Sequence, residues 1–131
     1  MKKFAVVFVA VVGLAAVAAL YAQQPGFKRT VVQQGDLSTA GKEVVQAIAE
    51  FQSKATVGRH THPGEEVAYV LEGSILLEVE GKPPVTLTAG KGFIIPAGTI
   101  HNATENGAGT SRVLATYIVE KGKPLATPAA K

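Results

Sequence analysis

From residue 56 onward, short apolar runs are cut by turn residues at close and regular spacing. This punctuation limits the fold more than any other feature of the chain. The run 67–71 ends at Glu72-Gly73; Ile75, Leu77 and Val79 then alternate with Leu76, Glu78 and Glu80. Gly81-Lys82-Pro83-Pro84 breaks the pattern, and Val85, Leu87 and Ala89 resume it against Thr86 and Thr88. Gly90-Lys91-Gly92 turns the chain, Phe93-Ile94-Ile95 reads as a buried strand, and Pro96-Ala97-Gly98 as a tight turn. After the loop 106–109, residues 112–120 form a last alternating run, with Val113, Ala115, Tyr117 and Val119 opposite Leu114, Thr116 and Ile118. Seven or more short strands at this spacing predict an all-β sandwich or barrel. A length of 131 residues suits one domain around one core.

The first 22 residues stand apart. Lys2 and Lys3 precede an uncharged apolar run over 4–20, which ends in Tyr21-Ala22 before polar Gln23-Gln24-Pro25. This is the layout of a secretory signal peptide, with cleavage expected after Ala22 or within 16–19; a retained membrane anchor is the alternative. The mature chain is then expected to be exported, periplasmic or extracellular, without stable membrane association. No cysteine follows the run to take a lipid, and no paired arginine precedes it. Without Lys2 and Lys3 the 13 basic residues become 11 against 10 acidic ones, a nearly neutral domain that gives no case for nucleic acid. The absence of cysteine leaves stability to the core rather than to disulfides.

Residues 23–40 are polar and read as an extended arm; 41–122 form the barrel domain, and 123–131 a flexible tail. One stretch within the domain is ambiguous. Val44, Ala47, Ile48 and Phe51 fit a helix face, whereas Val45, Ala47, Ala49 and Phe51 fit a strand face.

Chemistry concentrates in GRHTHPGEE at 58–66, which holds two of the three histidines. On a strand His60 and His62 point to one face, about 6–7 Å apart, a spacing that lets two imidazoles converge on one ion. Pro63-Gly64 turns the chain so that Glu66 can return to the same place, and His101 follows a second tight turn. Glu65 falls on the opposite face and reads as solvated. Arg59 and Tyr117 read as surface and core residues that could reach a substrate, and Gly73, Gly90, Pro96 and Gly98 as turn residues.

His60-x-His62-x3-Glu66-x6-Gly73 and Gly90-x5-Pro96-x-Gly98-x2-His101 resemble the two conserved motifs of the cupin superfamily, in particular its small single-domain bacterial members. Gly41-Lys42-Glu43 and residues 117–125 resemble flanking pieces of the same proteins. Two positions depart from the pattern: Lys54 stands where the first motif opens with glycine, and Glu105 where the second closes with asparagine. The resemblance implies a six-stranded jelly-roll β-barrel, makes 44–52 a strand, and gives one divalent metal held by His60, His62, Glu66 and His101. Such a donor set suits Mn, Fe, Ni, Zn or Cu; magnesium or calcium would want more oxygens.

Three functions follow as expectations. One is a metal-dependent dioxygenase or isomerase acting on a small oxygenated molecule, with Glu66 alternating between ligand and proton acceptor and with Val70, Phe93 and Ile95 shaping the pocket. The others are a non-enzymatic module that binds metal or a small ligand, and a barrel whose metal is structural. The resemblance also implies a homodimer, through strand exchange or sheet packing.

Overall fold

Alternation of apolar and polar residues becomes strand wherever two such runs can pair, and pairing accounts for nearly all the regular structure. The computed structural model describes residues 24–130; the signal peptide read over 1–22 lies outside the described residues. Ten strands follow in order: β1 (Phe27–Asp36), β2 (Lys42–Phe51), β3 (His60–Thr61), β4 (Gly64–Glu72), β5 (Ser74–Val79), β6 (Val85–Thr88), β7 (Gly92–Ile95), β8 (His101–Glu105), β9 (Ser111–Glu120) and β10 (Thr127–Pro128). They form two antiparallel five-stranded sheets, ordered β1-β2-β9-β4-β7 and β10-β3-β8-β5-β6. From β4 to β9 the chain passes repeatedly from one sheet to the other, the connectivity of a jelly-roll barrel. Among the described residues the strand count is ten rather than six: the arm and the tail contribute one strand each, and the segment between them contributes eight.

The ambiguous segment is a strand. β2 lies between β1 and β9 and buries Val45, Ala47, Ala49 and Phe51, the face with period two. Hydrogen bonding on both edges decides a question that side-chain spacing leaves open. The polar stretch before it supplies β1, which pairs with β2 from Phe27↔Phe51 to Asp36↔Glu43. Phe27 and Phe51 meet with ring centroids 5.0 Å apart. Between the sheets these residues join Val57, Val70, Ile75, Val113, Ala115, Tyr117 and Val119 in one core.

Two expectations are corrected. Phe93-Ile94-Ile95 is not buried throughout: β7 is the edge of the first sheet, so Ile95 faces the core while Ile94 is 65% exposed. Nor are residues 123–130 merely a tail. Thr127 and Pro128 pair with Thr61 and His60, and the Ala129 N–H donates to the Arg59 carbonyl at 2.9 Å.

The two departures from the motif pattern are bonded to each other. Lys54 adopts φ 62°, the left-handed conformation that glycine takes most easily. Its backbone N–H donates to Glu105 Oε2 at 2.9 Å, while Glu105 Oε1 accepts from the Gly107 N–H at 2.7 Å. Gly64, by contrast, is required by close approach: a Cβ there would lie 1.8 Å from the Ile118 carbonyl oxygen, so only glycine lets β4 start against β9.

Candidate metal centre

Register brings the first two imidazoles together. His60 on β3 is the pairing partner of His101 on β8, and their ring centroids are 4.2 Å apart. His62 follows β3 on the same side as His60, its ring 4.7 Å from that of His60 and 5.0 Å from that of His101. Glu66 comes from β4, in the opposite sheet, and points inward with Ala68 and Val70 while Glu65 faces solvent. The two sheets therefore close on the site from both sides. All four side chains are buried, and one ligand atom from each lies within 4.8 Å of the others.

The orientation of each ring is fixed from behind. His60 Nδ1 lies 2.7 Å from the Gly58 carbonyl, His62 Nδ1 2.6 Å from that of Leu125, and His101 Nδ1 2.9 Å from that of Thr99. A carbonyl oxygen only accepts, so each Nδ1 carries a hydrogen and donates it; in a neutral ring the Nε2 lone pair then points into the site. There the Nε2 atoms of His60 and His62 approach to 3.1 Å. Glu66 Oε2 lies 3.2 Å from His62 Nε2 and 3.0 Å from His101 Nε2. Lone pairs facing one another at such distances repel unless a cation or a proton stands between them. Metal–ligand bonds of about 2.0–2.2 Å produce ligand–ligand separations of this size. The residues present therefore fit a divalent ion.

Proton affinity agrees with that reading. Burial, reinforced by the charge of His101, lowers the pKa of His60 to about 3, against the opposing hydrogen bond to Gly58. Burial would raise Glu66, but in the absence of an ion, with protons standing between Oε2 and the facing Nε2 atoms, hydrogen bonds and charge from His101 and His62 prevail and hold its carboxyl at about 2. A neutral His60 and an ionised Glu66 are the states a metal ligand needs.

The other residues singled out from sequence separate cleanly. Arg59 is exposed and pairs with Glu80 at 2.8 Å. Tyr117 is buried beneath the site, its ring 4.6 Å from that of His62, and is the pairing partner of Glu66 across β4 and β9. Gly73, Gly90 and Gly98 take positive φ, consistent with turns. A narrow cavity reaches His60, Glu66 and His101; Phe93 lines it as expected, whereas Val70 and Ile95 belong to the core beside it. Two contributors escaped the sequence reading. The Leu125 carbonyl lies in the segment read as a tail. Arg29 lies in the segment read as an arm, where spacing at i and i+2 from Phe27 is the signal that both face inward.

Comparison with known proteins places this geometry. The chain is 28% identical over 111 residues to the HTH-type transcriptional regulator PuuR of Escherichia coli (strain K12), covering 72% of this chain and 60% of that protein. The chain thus spans less than two thirds of the curated relatives it matches. Its fold resembles that of KdgF from a Halomonas species, with a TM-score of 0.63 and 23% identity over 76% of this chain and 85% of the other. It also resembles recombinant oxalate oxidase in complex with glycolate, with a TM-score of 0.65 and 21% identity over 82% of this chain and 57% of that one. Residues 47–122, more than half of the sequence, match the family model described as the cupin domain. On that match, with the jelly-roll topology and the buried His-His-Glu-His cluster, the chain belongs to the cupin domain family.

Proposed function

We propose that this is an exported cupin protein that holds one divalent metal through His60, His62, Glu66 and His101 and transforms a small oxygenated molecule there, as a dioxygenase or isomerase would. The observation that carries the reading is the inward convergence of three Nε2 atoms and one carboxylate, each imidazole locked from behind by a backbone carbonyl. When bound, the metal would supply Lewis acidity to a substrate oxygen. The chain's own residues do the rest. The three carbonyl-anchored rings hold the donor geometry without rearrangement. Glu66 is ionised even before an ion enters, because hydrogen bonds and charge from His101 and His62 favour the carboxylate, so Oε2 is ready to serve as a ligand and accepts a proton only from a strongly acidic partner. Phe93, Phe27 and Phe51 wall the cavity and limit water within it. The likeness to oxalate oxidase, a structure named with glycolate, supports a small oxygen-rich substrate.

The cavity's narrowness, together with the relative named as a transcriptional regulator, favours a second reading: a module whose whole function is to bind metal or a small ligand. Turnover separates the two. Metal-loaded protein is incubated with small hydroxy and keto acids while oxygen consumption and product formation are followed, beside Glu66→Gln. The expected result is turnover by the parent and a loss of about tenfold or more in the variant. Ligand binding without turnover of any such compound would favour the module. Export rests on Lys2, Lys3 and the apolar run 4–20; an N-terminus at Gln23 on protein recovered from outside the cytoplasm is its direct check.

A further inference from the structure

Arg29 is an unusual residue for the place it occupies. It sits on β1 opposite Ala49, one of the inward positions of β2, and lies on the same side of its strand as buried Phe27. Among the described residues lining the cavity that reaches His60, Glu66 and His101, it is the one Lys or Arg. Its guanidinium carbon lies 5.4 Å from the centroid of the Phe27 ring and 5.6 Å from that of Tyr117. At these distances both rings attract the cation and restrict where the guanidinium head sits, while its N–H groups hydrogen-bond along its edge. The positive charge is also felt at His60, where it adds to the effects that disfavour protonation.

A permanent cation beside a centre built for another cation has an electrostatic consequence. With a divalent ion in place, one carboxylate from Glu66 leaves the combined charge of ion, Glu66 and Arg29 at about +2. A neutral phenol or sugar leaves that excess in a poorly solvated cavity. An anion removes part of it. We propose that Arg29 anchors the carboxylate of the molecule bound at this centre, and that the substrate class is a small carboxylic acid carrying a second oxygen donor for the metal, such as a 2-hydroxy or 2-keto acid. Planar, two-pronged recognition of a carboxylate is what a guanidinium does best. This inference rests on the metal reading above, and it narrows that reading by excluding neutral substrates.

The test uses nickel-loaded protein and two probes of the same shape, glycolate and its uncharged amide, glycolamide, titrated by calorimetry into the parent, Arg29→Met and Arg29→Lys. Nickel content and melting temperature are measured first. The expected result is that Arg29→Met keeps its nickel and its fold and loses about tenfold or more in glycolate affinity. Glycolamide should change by less than about twofold, and Arg29→Lys should fall between parent and Arg29→Met. Equal losses for both probes would mean that Arg29 only packs, and would overturn the proposal; so would unchanged glycolate affinity, or no glycolate binding by the parent. If Arg29→Met does not fold, Arg29→Lys decides: a selective loss for glycolate supports the anchor and unchanged affinity overturns it. A parent chain that takes up no nickel overturns the metal reading instead. The same titrations on metal-free protein then judge Arg29 alone, a glycolate-selective loss supporting it and the absence of binding or of loss overturning it.

Discussion

Three backbone carbonyls, of Gly58, Thr99 and Leu125, aim the imidazoles of this site. Two of the three belong to residues two positions before their histidine, so the chain that presents the ligand also orients it. The state of the ligands has a consequence for stability. Folding lowers the pKa of His60 from 6.5 to about 3 and that of Glu66 from 4.5 to about 2. In both cases the unfolded chain binds protons that the folded chain does not, so stability rises with pH. The contribution of His60 is complete above pH 6.5 and fades as pH falls towards 3; that of Glu66 is complete above pH 4.5 and fades towards 2. Urea unfolding of the metal-free chain between pH 7 and pH 4 should therefore show stability falling by on the order of 1 kcal/mol per unit at the steepest. His60→Gln should flatten the upper part of that curve. An equally steep curve in the variant would contradict a neutral, buried His60. The four converging side chains were legible in the sequence because they lie in two short motifs whose spacing survives folding. Arg29 and the Leu125 carbonyl were not, since the first depends on which face of β1 turns inward and the second carries no side-chain signature at all.

Elements succeeded or failed as sequence signals according to what they pair with. The strands β5 and β9 announced themselves by alternation, because each lies inside its sheet with one buried face. The segment of β2 satisfied both periods, and only its neighbours β1 and β9 made it a strand. Three apolar residues in a row at β7 looked buried, yet an edge position leaves Ile94 facing solvent. The C-terminal segment misled most. Its Pro and Ala suggest fraying, but Thr127↔Thr61 and Pro128↔His60 pairing brings Leu125 up behind His62. Ending the chain after Gly122 removes β10 and that carbonyl while leaving both large antiparallel pairings of β9 intact. The truncated protein should remain folded and lose about 10–100-fold in metal affinity, the usual cost of removing an outer-shell partner. Competition with a chromophoric chelator measures this. Affinity equal to that of the full chain would show that His62 is held adequately without Leu125.

At the scale of the whole molecule, the jelly roll has an inner face that makes the site and an outer face with its own character. On the first sheet, Val67, Tyr69, Ile94 and Ile118 all point outward, Val67 pairing with Ile94 across β4 and β7. Exposed apolar side chains on one face of an antiparallel sheet are what a second copy packed about a twofold axis would cover, as in the homodimer expected from the family resemblance. Sedimentation at micromolar concentration should find a dimer for the parent and a monomer for Ile94→Lys; a parent that sediments as a monomer would remove this face from the account. The inner face carries the larger claim.

Four side chains, drawn from both sheets, converge on one point that could hold a single cation. The most direct test is an anomalous difference map from a crystal grown with nickel and recorded at the nickel edge. The expected result is one peak about 2.0–2.2 Å from the Nε2 atoms of His60, His62 and His101 and from the Glu66 carboxylate. A map with no peak among these atoms at saturating nickel, or with the ion bound elsewhere on the chain, would contradict it.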